Sequence, residues 1–134
     1  MLDLALHSDG TQVALMNIAQ RQNMSTNYLE QVFSLLRKAG LVKSVKGAQG
    51  GYILADQPEN IKVGTILRAL EGDLKVVEDG HPDGDAESMD AQACIRRCVW
   101  DRVNESIAQV VDSISLQDLV EDYRGYSAYP MFYI

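Results

Sequence analysis

Residues 24–54, MSTNYLEQVFSLLRKAGLVKSVKGAQGGYIL, decide how the rest of the chain is arranged. Ser25 or Thr26 is a natural N-cap, and no proline or glycine interrupts the chain from there to Ala39. Apolar residues recur at helical spacing and predict one buried stripe, formed by Leu29, Val32, Phe33, Leu36 and Ala39. We therefore predict a helix over residues 25–39, ended by a C-cap at Gly40.

The other face of this predicted helix is polar and partly cationic. It carries Asn27, Tyr28, Glu30, Gln31, Ser34, Arg37 and Lys38. Amides, hydroxyls and cations of these kinds bind base edges and phosphates in a DNA major groove. A solvated helix face would have a similar composition, so composition alone leaves both interpretations open.

A two-stranded ribbon is predicted directly after this helix. Residues 41–45 mix apolar and polar side chains as a half-buried strand does, and residues 52–54 form the returning strand. The turn between them is rich in glycine and begins with Lys46. Upstream, residues 11–22 predict a shorter helix, followed by a turn at residues 22–24. This order is typical of a winged helix-turn-helix DNA-binding domain.

The total charge is acidic, but the charge is segregated along the chain. The 134 residues carry a net charge of −7, and residues 71–93 hold eight acids against one lysine. Residues 21–50 hold five cations and one acid. Because phosphate is attracted by the local patch of positive charge, this segment can bind DNA although the net charge of the chain is negative.

The length suits one domain with its own hydrophobic core. We see neither an apolar run of membrane length nor a signal peptide, so we expect a cytoplasmic protein that binds no membrane.

The remaining segments predict further helices and one loop. We expect residues 1–7 to be the end of a longer native helix, and residues 61–70 to form a helix that ends at Gly72 and closes a DNA-binding domain of residues 1–72. Residues 73–93 predict an acidic flexible loop. Residues 94–122 predict a long amphipathic dimerisation helix over 94–114 and a final short helix. Packing on its own domain is the alternative for the long helix. The aromatic tail, residues 123–134, either docks on a partner or is disordered.

These motifs resemble the Rrf2 family of bacterial transcription regulators, over residues 1 to about 120. The resemblance rests on LDLALH, on the block at 18–55, on IKVGTILRALEG at 61–72, and on the cysteine-to-tryptophan segment at 94–100. It implies a homodimer whose winged heads bind a palindromic operator, with Asn27, Glu30 and Gln31 near bases. It also implies that Lys46 lies in the minor groove. The predicted DNA-contacting residues are Ser25, Asn27, Tyr28, Glu30, Gln31, Arg37, Lys38, Lys46, Gly47, Gln49 and Gly50.

The two cysteines, Cys94 and Cys98, bear on the signal that such a regulator senses. By resemblance, many relatives hold an iron–sulfur cluster on three cysteines and one further ligand, and Cys94 matches the third of these cysteines. The three-cysteine set is therefore incomplete here. Other ligands could come from Glu78, Asp79 or His81. The pair could instead be an oxidisable sensor, although a regular helix holds such a pair poorly for a disulfide, or simply two free thiols.

The fold we predict is mostly α with a small two-stranded β wing. It is a winged helix-turn-helix head plus a long C-terminal dimerisation helix. The function we predict is a sequence-specific DNA-binding transcriptional regulator, a homodimeric repressor that responds to a redox, iron–sulfur or metabolite signal through a small-molecule or protein effector. The alternative is a protein–protein adaptor that uses the winged helix without DNA. No histidine–cysteine–acid arrangement, phosphate loop or metal motif supports an enzyme.

Overall fold

The computed structural model describes residues 1–47, 50–76 and 90–127. The head begins with three helices: α1 (Leu2–His7), α2 (Leu15–Gln22) and α3 (Thr26–Lys38). A two-stranded antiparallel sheet follows, with β1 (Val42–Val45) and β2 (Gly51–Leu54). A 3₁₀ turn at Pro58–Asn60 leads to α4 (Val63–Glu71). The predicted winged helix-turn-helix fold is confirmed.

Both ends of α3 are set by local sequence. The Ser25 hydroxyl accepts a hydrogen bond from the Tyr28 N–H at 3.3 Å, which satisfies one of the free donors of the first turn. At the other end, Gly40 adopts a φ of 77° and its N–H bonds the Arg37 carbonyl. That left-handed conformation favours glycine and ends the helix. The turn before α3 passes through Asn23, also left-handed at φ 52°.

Two details of the predicted head are corrected. The helix predicted over 11–22 begins at Leu15, because Val13 instead pairs with Tyr52 of β2 through two backbone hydrogen bonds of 2.9 and 3.0 Å. Ala39 is the C-cap of α3 and is exposed, so it does not belong to the buried stripe. Leu29, Phe33 and Leu36 are the fully buried members of that stripe.

A long helical run follows residue 90. It comprises α5 (Ala91–Ile95), a π-helical turn at Arg96–Trp100 and α6 (Asp101–Ser113). We call residues 91–113 the long helix. The predicted start at residue 94 was three residues late, because Asp90 caps the helix by accepting a hydrogen bond from the Ala93 N–H. The π turn is a second departure from the regular helix that periodicity predicts.

The last helix, α7 (Leu116–Ser127), returns to the head. Ser115 and Asp118 bond each other's backbone N–H groups, a reciprocal cap that fixes the helix start. Leu116 is fully buried and joins the same core as α1, α3 and the wing. The helix extends to residue 127, so five residues of the segment expected to be an aromatic tail are helical. Residues 128–134 lie outside the described residues.

The head and the long helix are joined by α4. Arg68 of α4 and Asp112 of α6 form a bidentate ion pair, with N–O distances of 2.6 and 3.0 Å. Gly64 allows this approach, because a Cβ at that position would overlap the Asp112 carboxylate. Nothing in the described parts of the chain is a helix both long and apolar enough to cross a membrane.

Candidate nucleic-acid interface

The exposed face of α3 forms a shallow open groove of about 550 Å³. It is lined by Asn27, Glu30, Gln31, Ser34 and Leu35. The two amides and the carboxylate are exposed, while the buried face of the same helix is fixed in the core. An anchored helix with free amides on its outer face can place those amides against base edges, where Asn and Gln bond adenine in pairs. Three of the predicted residues are thus brought together.

Tyr28 lies on a different side of α3 from this groove. Tyr28 is 54% exposed and lines a larger cavity of about 690 Å³, together with residues of α1 and α7 such as Leu2 and Tyr123. Ser25 is exposed, but its hydroxyl is engaged by the helix cap. The sequence grouped Tyr28 with Asn27 because adjacent residues both avoided the apolar stripe. Periodicity does not distinguish the two flanks of a polar face.

The cations of the head are not all equivalent. Arg37 and Lys38 are exposed in the last turn of α3. Arg21, which contributes to the positive charge of residues 21–50, bonds the buried Asp3 carboxylate through three N–O contacts of 2.7 to 3.2 Å. This hydrogen-bonded guanidinium lowers the pKa of Asp3 below its ordinary value. Since Arg21 is neutralised within the fold, the head presents less positive charge than the sequence count indicates.

At its base the wing contacts α3 and Val13, which lies just before α2. The rings of Phe33 and Tyr52 lie 4.8 Å apart, so the returning strand packs on the buried face of α3. A Cβ on Gly51 would stand 2.5 Å from the Val13 carbonyl oxygen, so only glycine allows this close approach. These contacts fix where the tip of the wing lies relative to α3.

The tip of the wing carries the predicted Lys46, Gly47 and Gly50. Lys46 is exposed at the end of β1, and the Gly50 N–H bonds the Gly47 carbonyl at 3.2 Å. Gln49 lies outside the described residues. An exposed cation on a closed turn suits contact with a phosphate or a minor groove.

Two residues near these surfaces were missed in the predicted set. Leu35 is 42% exposed in the α3 groove, where an apolar side chain can contact a thymine methyl group. Its position four residues after Gln31 places it on the same face, which is the signal that could have found it. Lys43 is exposed on β1 and adds a cation to the wing.

Cys94 and Cys98 lie together on the long helix. Their Sγ atoms are 3.9 Å apart and both side chains are exposed. Hydrogen bonding with the Cys98 thiol raises the pKa of Cys94. Within residues 1–47, 50–76 and 90–127 there is no cluster of three or more histidine, cysteine, aspartate or glutamate side chains that could hold a metal ion.

Comparison with known proteins gives consistent matches. A family model described as Rrf2, iron-dependent transcriptional regulator, matches residues 1–122. The chain is 41% identical over 138 residues to the HTH-type transcriptional regulator CymR of Bacillus subtilis, covering 100% of this chain and 91% of that protein. It is similar to the solved structure of the B. subtilis global cysteine regulator CymR, with a TM-score of 0.73 and 39% identity over 90% of this chain and 86% of that one. For the T. potens IscR structure the TM-score is 0.70, with 48% identity over 91% and 78%.

Proposed function

Because this chain belongs to the Rrf2 family of transcriptional regulators, and is itself a DNA-binding regulator, we propose that it is a homodimeric repressor of a palindromic operator. Each head would place α3 in a major groove and its wing against the neighbouring backbone or minor groove. One observation supports this proposal most strongly. Asn27, Glu30 and Gln31 line an exposed groove on α3, and the opposite face of that helix is buried in the core.

The proposed division of labour between α3 and the wing follows from chemistry. Side-chain amides discriminate among bases, whereas a cation near the backbone contributes to every sequence equally. Gln31 is therefore proposed to determine base preference. Lys46, Arg37 and Lys38 are proposed to supply the salt-dependent part of the affinity.

A fluorescence-anisotropy titration of operator and mismatched duplexes at two salt concentrations tests this division. For Gln31→Ala we expect a loss of about 1–3 kcal/mol on the operator and little loss on mismatched DNA. For Lys46→Ala we expect a uniform loss and a salt slope reduced by about 1. Gln109→Ala, an exposed amide on α6, is the matched control. Equal losses on all sequences for both variants would contradict the assignment.

The long helix is the proposed dimer surface. None of its residues, all of which the structure describes, is buried, although it carries a stripe of valines and isoleucines. Val99 and Val110 are 43% and 58% exposed. The exposed part of this apolar face favours association with a second copy, and a two-fold dimer would present its heads to half-sites about 34–36 Å apart.

The family description implies iron, and the donors of this chain can be compared with that requirement. Iron–sulfur clusters are typically held by four thiolates, and the whole sequence contains two cysteines. In the described residues no third metal-binding side chain joins the pair formed by Cys94 and Cys98. The chain by itself does not fit an all-cysteine cluster.

The signal is therefore proposed to be a small metabolite, a protein partner or oxidation of the two thiols. The similarity to a protein described as a global cysteine regulator favours a signal connected with cysteine. An absorbance spectrum with iron analysis, taken on protein purified without oxygen, tests this. Stoichiometric iron with visible charge-transfer bands, both lost in Cys94→Ala, would contradict the cluster-free proposal. A colourless protein that binds operator DNA would support it.

A further inference from the structure

Leu35 is an apolar side chain on the otherwise polar groove of α3. It is 42% exposed, whereas the nearby Phe33 and Leu36 are 2% and 1% exposed and lie in the core. Because successive residues of a helix are turned by about 100°, the burial of these two residues directs Leu35 away from the core. Leu35 lines the groove together with Asn27 and Gln31. The groove therefore presents an apolar side chain beside two amides.

Asn27, Gln31 and Leu35 follow one another along a single ridge of α3. They are spaced four residues apart, so neighbours in this series lie on the same face and about 6 Å apart along the helix axis. A base pair of B-DNA occupies about 3.4 Å of its axis. A helix that lies along the major groove therefore brings Leu35 to a base pair about two steps from the one that Gln31 contacts.

The major groove offers an apolar side chain few suitable partners. The base edges there carry hydrogen-bond donors and acceptors, and thymine adds a C5 methyl group. A leucine placed against a donor or acceptor displaces water without replacing the hydrogen bond, which is unfavourable. Placed against the methyl group, the same leucine buries apolar surface on both molecules. The chemistry of the groove thus favours thymine opposite Leu35 and disfavours cytosine, which lacks the methyl group.

We propose that Leu35 contacts the C5 methyl group of a thymine in each half-site and so determines a base preference that the amides do not. This inference rests on the proposed function, because it requires α3 to lie in a major groove. The contact involves the methyl group and not the hydrogen-bonding atoms of the base. It is therefore expected also with 5-methylcytosine, which carries a methyl group at the same ring position, and it is lost with uracil or unmodified cytosine.

Fluorescence-anisotropy titrations of the full-length chain with modified duplexes test the proposal. A preferred site is first selected from a random duplex library with the parent chain, and each thymine of one half-site is then replaced by uracil in turn. At one position we expect uracil to bind about fourfold weaker than thymine, the factor that burial of one methyl group supplies. At the same position we expect cytosine to bind weaker than 5-methylcytosine by about the same factor.

Two variants separate this contact from general effects on binding. Leu35→Ala shortens an exposed side chain, so the fold should be kept, and we expect both affinity ratios to fall to about one. Met16→Ala is the matched control, because Met16 is a 63% exposed apolar side chain on α2, outside the set of residues that line the groove. We expect Met16→Ala to keep both ratios of the parent.

The proposal is overturned if no replacement of thymine by uracil weakens binding, if Leu35→Ala keeps the ratios of the parent, or if the selected half-site contains no thymine. In each of these cases the parent chain still prefers its selected site, so the proposed function stands. If the library yields no preferred sequence, the proposed function fails together with this inference.

Discussion

α3 and the long helix are both amphipathic, yet the fold uses their faces in opposite ways. α3 buries Leu29, Phe33 and Leu36 almost completely and leaves amides, an acid and two cations outside. The long helix has no buried residue, and its apolar side chains at 99 and 110 are among the exposed ones. The same sequence pattern therefore does not predict the same environment.

The difference identifies the partner that each helix lacks. The free face of α3 is polar, so it already suits water and gains from contact with the bases and phosphates of DNA. The free face of the long helix is apolar, and its contact with water is unfavourable by about 25 cal/mol per Å². A second protein surface would remove that cost. Four sets of substitutions test this difference between the two helices.

Removing a core side chain from α3 should have the largest effect. Phe33 is 2% exposed and packs on Tyr52, so Phe33→Ala should lower the free energy of unfolding by about 3–5 kcal/mol. Ile107→Ala in the long helix is the counterpart, because that side chain is half-buried. We expect its effect to grow with protein concentration, since it acts on association. Chemical denaturation at several concentrations measures both. If Phe33→Ala and Ile107→Ala lowered the free energy of unfolding equally at every protein concentration, the proposal that only the long helix acts through association would be wrong.

A charge on the apolar face of the long helix should break the proposed dimer without unfolding the protein. Val110→Glu replaces a valine that is 58% exposed, so the monomer should keep its stability. Dimer affinity should fall roughly tenfold or more, equivalent to at least about 1.4 kcal/mol. Gln109→Glu adds the same charge at the neighbouring position and is the control. Sedimentation velocity distinguishes the two variants, and unchanged association of Val110→Glu would contradict the proposed dimer surface.

The N-caps of the two helices should contribute unequally to stability. Ser25→Ala removes the cap of α3 and should destabilise the protein by about 0.5–2 kcal/mol, because α3 forms the core. Asp90→Ala removes the cap of a helix with no buried residue in its first turns, so it should fray that helix locally. Thermal unfolding reports the first effect, and amide hydrogen exchange at residues 91–95 reports the second. If Asp90→Ala lowered the Tm more than Ser25→Ala does, the expected order of the two caps would be wrong.

The smallest effect is expected where the two regions meet, at Gly64. In Gly64→Ala the new methyl group would displace the Asp112 carboxylate and break its ion pair with Arg68. That pair is exposed and contributes little, while alanine is the better helix former by about 1 kcal/mol. We therefore expect almost no net change. In an Asp112→Ala background the carboxylate is gone, and the new methyl group still meets the Arg68 guanidinium and a Val111 methyl group, so we expect the same substitution to be less unfavourable than in the parent by up to about 1 kcal/mol. A double-mutant cycle by urea denaturation measures this, and strict additivity would show that the ion pair is not involved.

Much of the head could be predicted from local sequence because its signals are local. The caps of α3 at Ser25 and Gly40, its buried stripe and the following ribbon depend on residues within one or two turns of each other. The predictions that failed depend on contacts between residues far apart in the sequence. Val13 is not helical as predicted, because it pairs with Tyr52, thirty-nine residues later. Arg21 does not add to the basic patch, because its guanidinium bonds the Asp3 carboxylate. Neither partner is visible in a window of helical length.

Local sequence is enough to predict the winged helix-turn-helix order, the polar face of α3 and the apolar stripe of the long helix, because periodicity and caps act between near neighbours. The tertiary structure decided which of these faces is covered. It placed α7 in the core through Leu116, packed α6 against α4 while leaving the Val99 and Val110 side chains exposed, and brought the Sγ atoms of Cys94 and Cys98 to 3.9 Å. Burial depends on contacts between distant segments, and an amphipathic pattern shows that a helix has an apolar face without showing what lies against it.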